Sequence, residues 1–485
     1  MKKEFLLLIL TLVVCFVVRL YRFDNPIADW HSWRQADTSA VSRNFILHGF
    51  DLLHPTYDDI SNVQTGFDNP KGYRFVEFPI YNFFQAGLYK IIGVLTLEEW
   101  GRLVSIITSV FGSLFLYLLV KKKTNTLTAF FVLIFYAFIP YNIYYSRTIL
   151  PDTSMMAAFL GGLYFLDLWL DAYRKKEYPN IFYLLSLIIA LLLTAMSFLL
   201  KGYTLFYGLT FLALVFSVFK FSILKKWELW IFMIFSILPF VLWRKYILQF
   251  PEGVPANAWL FNGNGIRFRP SFFRWIFYER ITKLIAGYVG SLFVVFGIAQ
   301  IFKEKKNILF FLSFPVSALI YLSVIATGNV QHDYYQIVIM PAVAIVMGFG
   351  AVWVVGFLKK YMKQKFAFCV ISILILLSFF FAWQQVKDYF NINNRSIVIA
   401  GQAVDMLTPK NAKIVAPYNG DTSFLYQTKR KGWPAFEKPL PDLIQLGADY
   451  LVLVNPAQKD YNIGKTYKII SATKDYILFD LHQKP

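Results

Sequence analysis

The stretch 28–45, ADWHSWRQADTSAVSRNF, follows a long apolar run and crowds two aspartates, a histidine, two tryptophans and two arginines together. Asp37 is its first chemical candidate, because carboxylates beside a bilayer are costly unless solvated or paired, and those kept there often have a role. Arg34 stands three residues earlier, on the same face if a helix forms. A carboxylate with a cation partner suits a general base that takes a proton from a hydroxyl. A surface salt bridge explains the same spacing equally well. Glu77, in RFVEFPIYNF, is the second candidate. Pro79 restricts the backbone at Phe78 and fixes the approach to the next helix, although an acidic residue near a helix start is also favoured by the dipole alone. Asp152, in YYSRTILPDTSMM, is a good N-cap behind Pro151, and Arg147 beside it reads as an interfacial anchor. Singly these are ordinary; together they gather Asp37, Glu77 and Asp152 with Arg102, Arg147 and Lys201.

Lys201 interrupts the apolar hairpin SFLLKGYTLF. A lysine there either snorkels to lipid headgroups or holds a phosphate. The segment NVQHDYYQIVIMP brings His332, Asp333, Tyr334 and Tyr335 to the start of another apolar run. One strong nitrogen ligand is too little for a zinc site, and the tyrosines also suit an aromatic belt. Cys15 and Cys369 are the only cysteines and lie in apolar runs, so they provide neither a disulfide framework nor metal-ligand spacing. A divalent metal is neither specified nor excluded.

The elements that must position these groups are membrane helices. Of 485 residues 57% are hydrophobic and only 16% charged, against about a quarter charged in a soluble chain. Apolar runs of about 17–22 residues recur, each long enough to cross a bilayer. The spacing predicts spans near 5–21, 102–120, 127–145, 152–170, 181–200, 203–219, 228–247, 283–302, 308–326, 336–358 and 366–383, about eleven in all. The net charge of +19 belongs to short basic clusters between them, as the positive-inside bias requires, and not to a nucleic-acid surface. With Met1-Lys2-Lys3 inside, the clusters Lys121–Lys123, Arg174–Lys176, Lys225-Lys226, Lys303–Lys306 and Lys359–Lys365 all fall on the inner side. This holds if 79–97 is an interfacial helix instead of a span. Residues 1–21 read as an uncleaved first span, since no small-x-small cleavage site follows.

The outer segments are then 22–101, 146–151, Lys201-Gly202, 248–282, 327–335 and everything after 384. The sequence therefore divides into an all-α polytopic membrane domain, 1–383, with a long first outer loop 22–101, and a small soluble α/β domain, 384–485, on the extracytoplasmic side. In the latter, AKIVAP, DYLVLVN, YKIISAT and YILFDL read as strands and 396–407 and 421–428 as helices. No glycine-rich phosphate loop follows any of these strands.

The order RQADTSAVSRNFILHGF, YRFVEFPIYNF, GRLVSIITSVFGSLFLYLLV, YYSRTILPDTSMMAAFL, LLKGYTL and HDYYQIVIMP resembles, over roughly residues 1–345, the polyprenyl-phosphate-sugar-dependent glycosyltransferases of the GT-C fold. The similarity is to bacterial proteins like the protein O-mannosyltransferases and the lipid A aminoarabinose transferase. The resemblance implies a sugar carried on a polyprenyl phosphate, undecaprenyl phosphate in a bacterial host, and transfer on the periplasmic or extracytoplasmic side of the cell membrane. It makes Asp37 the base that deprotonates the acceptor hydroxyl, with Asp29 and Asp24 as fallbacks. It matches Glu77 to a loop-end glutamate, Asp152 to the aspartate opening the fourth span, and Lys201 to the lysine of a Lys-Gly turn. Two departures stand out: Phe78 replaces the lysine of a Glu-Lys-Pro sequence, and the first loop lacks the Asp-Glu-x-Arg-Tyr spacing.

A lipid-phosphate leaving group departs with developing negative charge, so the site needs fixed cations. Lys201, Arg102 and Arg147, with Arg267 and Arg269 from NGNGIRFRP, are the candidates for the donor phosphate. Arg34, Trp33, His332, Tyr334 and Tyr335 are the candidates for contact with substrate. The loop 248–282 suits a mobile cover or a plain connector. The expected partners are a polyprenyl-phosphate sugar, membrane lipid, and a glycolipid, polysaccharide or protein acceptor. The alternative is a lipid-sugar flippase or a transporter of envelope polysaccharide precursors, which calls for charged or broken helices at mid-membrane.

Overall fold

In the computed structural model the described residues are 2–175, 177 and 180–485. Met1 and Lys176, which entered the charge alternation, lie outside them. Cα packing divides the chain into two units.

The first unit comprises Met1–Tyr21, Leu103–Trp243 and Asn257–Asp388 and is built from apolar helices. Among the described residues, seven helices are long and apolar enough to cross a membrane, and Thr126–Phe138, Ser291–Ile301 and Ile308–Val324 are shorter apolar helices. The chain is a multi-pass membrane protein, and its described helices give seven such spans where the hydropathy pattern predicts about eleven. Two of the predicted spans are broken. The run 127–145 splits into Thr126–Phe138 and Pro140–Tyr145, because Pro140 has no N–H to give and its ring drives Ile139 out of the helical region, to ψ 122°. The run 283–302 begins as a π-helical segment, Arg274–Ile285, and resumes only at Ser291–Ile301. Between them Gly287 has φ +54° and presses on the Ser378 carbonyl, where a Cβ would come within 2.1 Å. Small residues also let helices meet closely elsewhere: a Cβ on Gly162 would stand 2.4 Å from Thr194 Oγ1, which draws helix Asp152–Lys175 onto helix Ile181–Leu200.

The second unit comprises Arg22–Arg102, Arg244–Ala256 and Tyr389–Pro485. Its five-stranded sheet has the order β2-β1-β3-β5-β4, with β1 Ile414–Val415, β2 Gly432–Trp433, β3 Tyr450–Val454, β4 Lys468–Ala472 and β5 Tyr476–Asp480. β1 runs parallel to β2 and β3, while β5 is antiparallel to β3 and β4. The period of two along β3 and β5 sorts their side chains between two cores. Leu451, Leu453, Ile477 and Phe479 pack with Trp433 and Ile60. Val452, Tyr476 and Leu478 pack with Phe424, Leu425 and Ala400, which lie on helices Thr422–Thr428 and Arg395–Leu407.

The division at 383/384 read from composition keeps chain order, whereas packing groups residues 22–102 with the sheet. The physical reason lies at the β2 edge. Ile60 N donates to Gly432 O at 3.0 Å and Gly432 N to Asp58 O at 2.9 Å, so the first loop extends the sheet beside β2. Gly432 is needed there, since a Cβ would strike the Ile414 carbonyl at 1.7 Å. The loop's own helices are Ser32–His48 and Ile80–Ile92, the latter inside the segment 79–97 expected to form an interfacial helix.

Candidate functional site

Helix Ser32–His48 buries polar side chains along most of its length, including Arg34, Gln35, Asp37, Ser39 and Ser42. Such a helix holds only if each group finds a partner. Asp37 has no exposed surface. Arg74 Nη2 donates to its Oδ2 at 2.6 Å, and Thr422 Oγ1 donates to its Oδ1 at 2.6 Å. Gln64 accepts from Arg74 Nη1 and stands 3.5 Å from Asp37 Oδ2. The Arg74 guanidinium also lies 5.0 Å from the centre of the Tyr57 ring, whose hydroxyl is 3.4 Å from Asp59 Oδ2. Burial, helped by the Asp37 charge, pushes the Asp59 carboxyl up to about 6, against hydrogen bonds from Ser61 and the charge of Arg74.

The expected Arg34–Asp37 pair is corrected here. Arg34 Nη2 reaches both carboxylate oxygens of Glu77 at 2.7 Å, and Arg74 supplies the cation for Asp37. Helical spacing brings Arg34 and Asp37 to one side, but the long arginine stem follows the carboxylate that the returning loop presents. Trp33 is half-buried one turn before Asp37, and its carbonyl is 3.3 Å from Thr422 Oγ1. Arg102 is buried and donates Nη1 to the carbonyls of Phe23 and Asn25. Its Nε and Nη2 have no hydrogen-bond partner among the described residues. Of the fallback aspartates, Asp29 is buried and accepts from Gln35 Nε2 at 2.8 Å, while Asp24 is exposed.

A second constellation lies within the apolar helices. Asp152 opens helix Asp152–Lys175 and is 1% exposed. Lys201, at the end of helix Ile181–Leu200, places Nζ 2.8 and 2.9 Å from its two oxygens. The chain turns at once through Gly202, whose lack of a Cβ accommodates the Phe240 ring. Tyrosines wall the ammonium: Nζ is 5.3 Å from the Tyr203 ring centre and 5.8 Å from those of Tyr334 and Tyr335. Tyr334 and Tyr335 stack at 4.4 Å, and His332 packs against Tyr334 and Trp259, each at 5.7 Å. Asp333 is buried among Tyr145, Tyr141 and Arg280.

The cations proposed for the donor phosphate divide. Lys201 is built into this cluster. Arg147 is fully buried and lies over the Tyr144 ring at 5.5 Å. Arg267 donates Nη2 to the Val324 carbonyl at 3.1 Å, and Arg269 is exposed. Of the loop 248–282, residues 248–256 pack in one unit and the chain from Asn257 in the other. Among the described residues no group of three His, Cys, Asp or Glu side chains is placed to hold a metal ion. Sequence reasoning missed Arg74, Thr422, Tyr203 and Arg280. Arg74 lay within the quoted YRFVEF motif, whereas Thr422 is 385 residues from Asp37 and had no local signal.

A buried carboxylate–cation pair among apolar helices, and another in a unit with a small sheet, define a class of membrane protein that keeps paired charges buried. Residues 70–243 match the family model described as dolichyl-phosphate-mannose-protein mannosyltransferase. Structures with the same fold include ArnT from Cupriavidus metallidurans, apo and bound to undecaprenyl phosphate, each 12% identical, covering 97% of both chains with TM-score 0.62. The Archaeoglobus fulgidus oligosaccharyltransferase AglB, solved with an inhibitory peptide and a dolichol-phosphate, is 11% identical over 99% of this chain and 75% of its own, with TM-score 0.57. No curated protein sequence matches this chain. The resemblance to GT-C glycosyltransferases read from the sequence is borne out.

Proposed function

We propose that this protein is a glycosyltransferase that moves a sugar from a polyprenyl-phosphate-linked donor to an acceptor hydroxyl on the extracytoplasmic side of the cell membrane. Asp37 is the general base. The observation that carries the reading is Asp37 itself: a wholly buried carboxylate fixed by Arg74 and Thr422 in a chain with the GT-C fold. A carboxylate offers about four acceptor sites, so one can take the acceptor proton while Arg74 holds the group. In the state described, Thr422 Oγ1 donates to Oδ1 as an acceptor hydroxyl would, and acceptor binding displaces it.

Lys201 binds the donor phosphate, with Asp152 and the tyrosines fixing its ammonium. Arg102, with two free guanidinium nitrogens, and buried Arg147 serve the same charge, which grows as the phosphate leaves. Arg267 and Arg269 have a lesser part, and His332, Tyr334, Tyr335 and Trp33 contact substrate. Residues 384–485 form an extracytoplasmic α/β domain. The test is turnover of a panel of undecaprenyl-phosphate sugars by purified wild type and Asp37→Asn. Equal turnover by the variant removes Asp37 as the base. No turnover by wild type with any such donor favours the flippase reading. Cytoplasmic labelling of a cysteine placed at 37, 77, 152 or 332 would sink the topology.

A further inference from the structure

A cleft of about 490 Å³ opens in the second unit where the end of helix Ser32–His48 meets the loop Asp51–Thr56, Lys71–Tyr73 and Lys431, within the size range of about 300–1,000 Å³ of ligand sites. Arg74, Gln64 and Thr422 do not line it. Its charges are unevenly satisfied. Asp51 is taken up locally: His54 Nδ1 stands 3.0 Å from its Oδ2, and the backbone N–H groups of Leu53 and His54 donate to its Oδ1 at 3.1 Å. The other ring nitrogen of His54 is 2.8 Å from the Tyr246 hydroxyl, which fixes the imidazole.

Among the described residues the two lysines have no such complement. There Lys431 Nζ donates to the Lys71 carbonyl alone, at 3.4 Å, and Lys71 Nζ lies 5.4 Å from the Tyr73 ring centre. Burial pushes the Lys431 ammonium down, Lys413 adds repulsion, and the charge of Asp58 only partly offsets them. Asp58 is itself paired with Arg43. A half-buried cation without a carboxylate partner is costly, and an anion in the cleft would remove that cost. The rings of Tyr73 and His54, 6.0 Å apart, give the same cleft an apolar wall. Lys71 also lines a neighbouring cleft of about 400 Å³, but Asp68, paired with Lys438 at 2.6 Å, and Glu252 line that one too, so the anion is confined to the cleft that Lys431 shares.

We infer that this cleft binds an anionic saccharide, with its oxyanion (a uronate carboxylate or a sugar phosphate) between Lys71 and Lys431 and a sugar face on Tyr73. That such a saccharide is the acceptor rests on the glycosyltransferase reading; its binding does not. The test is calorimetric titration of the full-length protein in phosphatidylcholine nanodiscs with tetragalacturonate, maltotetraose and glucose 6-phosphate. Tetragalacturonate is expected to bind at least about tenfold tighter than neutral maltotetraose, a gain in the range of one charge-assisted contact. Binding of glucose 6-phosphate alone assigns the oxyanion to phosphate, and of tetragalacturonate alone to a carboxylate. The double variant Lys71→Gln/Lys431→Gln is expected to lose the preference with an unchanged melting temperature. Equal affinity for the charged and neutral tetrasaccharides without binding of glucose 6-phosphate, no binding of any probe, or a preference that survives in the double variant would overturn the site. A wild type that binds tetragalacturonate but turns over no polyprenyl-phosphate sugar would sink the transferase reading and leave this site standing.

Discussion

The pair Asp152–Lys201 among the apolar helices and the pair Asp37–Arg74 in the polar unit use the same charges to opposite ends. In the first, a carboxylate in the first turn of a helix grips the ammonium from one side while tyrosine rings close around it, so the cation is the group presented. In the second, a guanidinium and a hydroxyl grip the carboxylate, so the anion is. Each pair costs desolvation, and removing one member strands a buried charge at about 3–5 kcal/mol. The two pairs thus fix a cation and an anion from different structural sources, the two charges that the proposed transfer would use.

The comparison breaks first at Asp37. Asp37→Asn is expected to lower turnover of a polyprenyl-phosphate sugar about a thousandfold, within the span of general-base effects, because the amide oxygen still accepts from Arg74, its NH2 can donate to a turned Thr422 hydroxyl, and the group cannot take a proton. Steady-state turnover of variant and wild type decides it. Lys201→Met is expected to weaken donor binding roughly a hundredfold, the upper range for a charged hydrogen bond, and to lower the melting temperature by stranding Asp152. The double variant Asp152→Asn/Lys201→Met should recover stability without recovering donor binding. Recovery of both would make the pair a structural staple.

A smaller effect sharpens the choice of partner. Arg74→Gln should reduce kcat about tenfold with little change in KM, and Arg34→Gln, which acts on Glu77, should reduce it less. The reverse order would return Asp37 to Arg34. The smallest effect is on stability. Because Asp59 is raised from 3.8 to about 6 by burial, the folded state binds its proton more tightly than the unfolded chain does. Its contribution is therefore fully present below about pH 4 and lost as pH rises through about 6. Asp59→Asn should match wild type at pH 4 and exceed it above pH 6 by up to roughly 3 kcal/mol, read as melting temperature against pH.

Much of the frame was legible locally. Short β-rich runs marked the strands at Tyr450–Val454 and Tyr476–Asp480, and the Lys-Gly turn marked Lys201. The Pro140 break was written in the sequence too, but hydropathy averages over it, so 127–145 read as one helix. The short β2 strand had no such signal, because Gly432-Trp433 is only two residues long and its place is fixed by neighbours on both sides.

The sequence by itself determined that this is a polytopic membrane chain with a small α/β segment and a few charged residues kept where charge is costly, since hydropathy, period and charge bias are properties of neighbouring residues. Only the tertiary structure decided which charges meet. Arg34 pairs with Glu77 across 43 residues, Arg74 with Asp37 across 37, and Thr422 with Asp37 across 385. Such pairings follow from loop return and sheet extension. A long side chain takes whichever buried partner the backbone presents, and spacing along one helix limits that choice without making it.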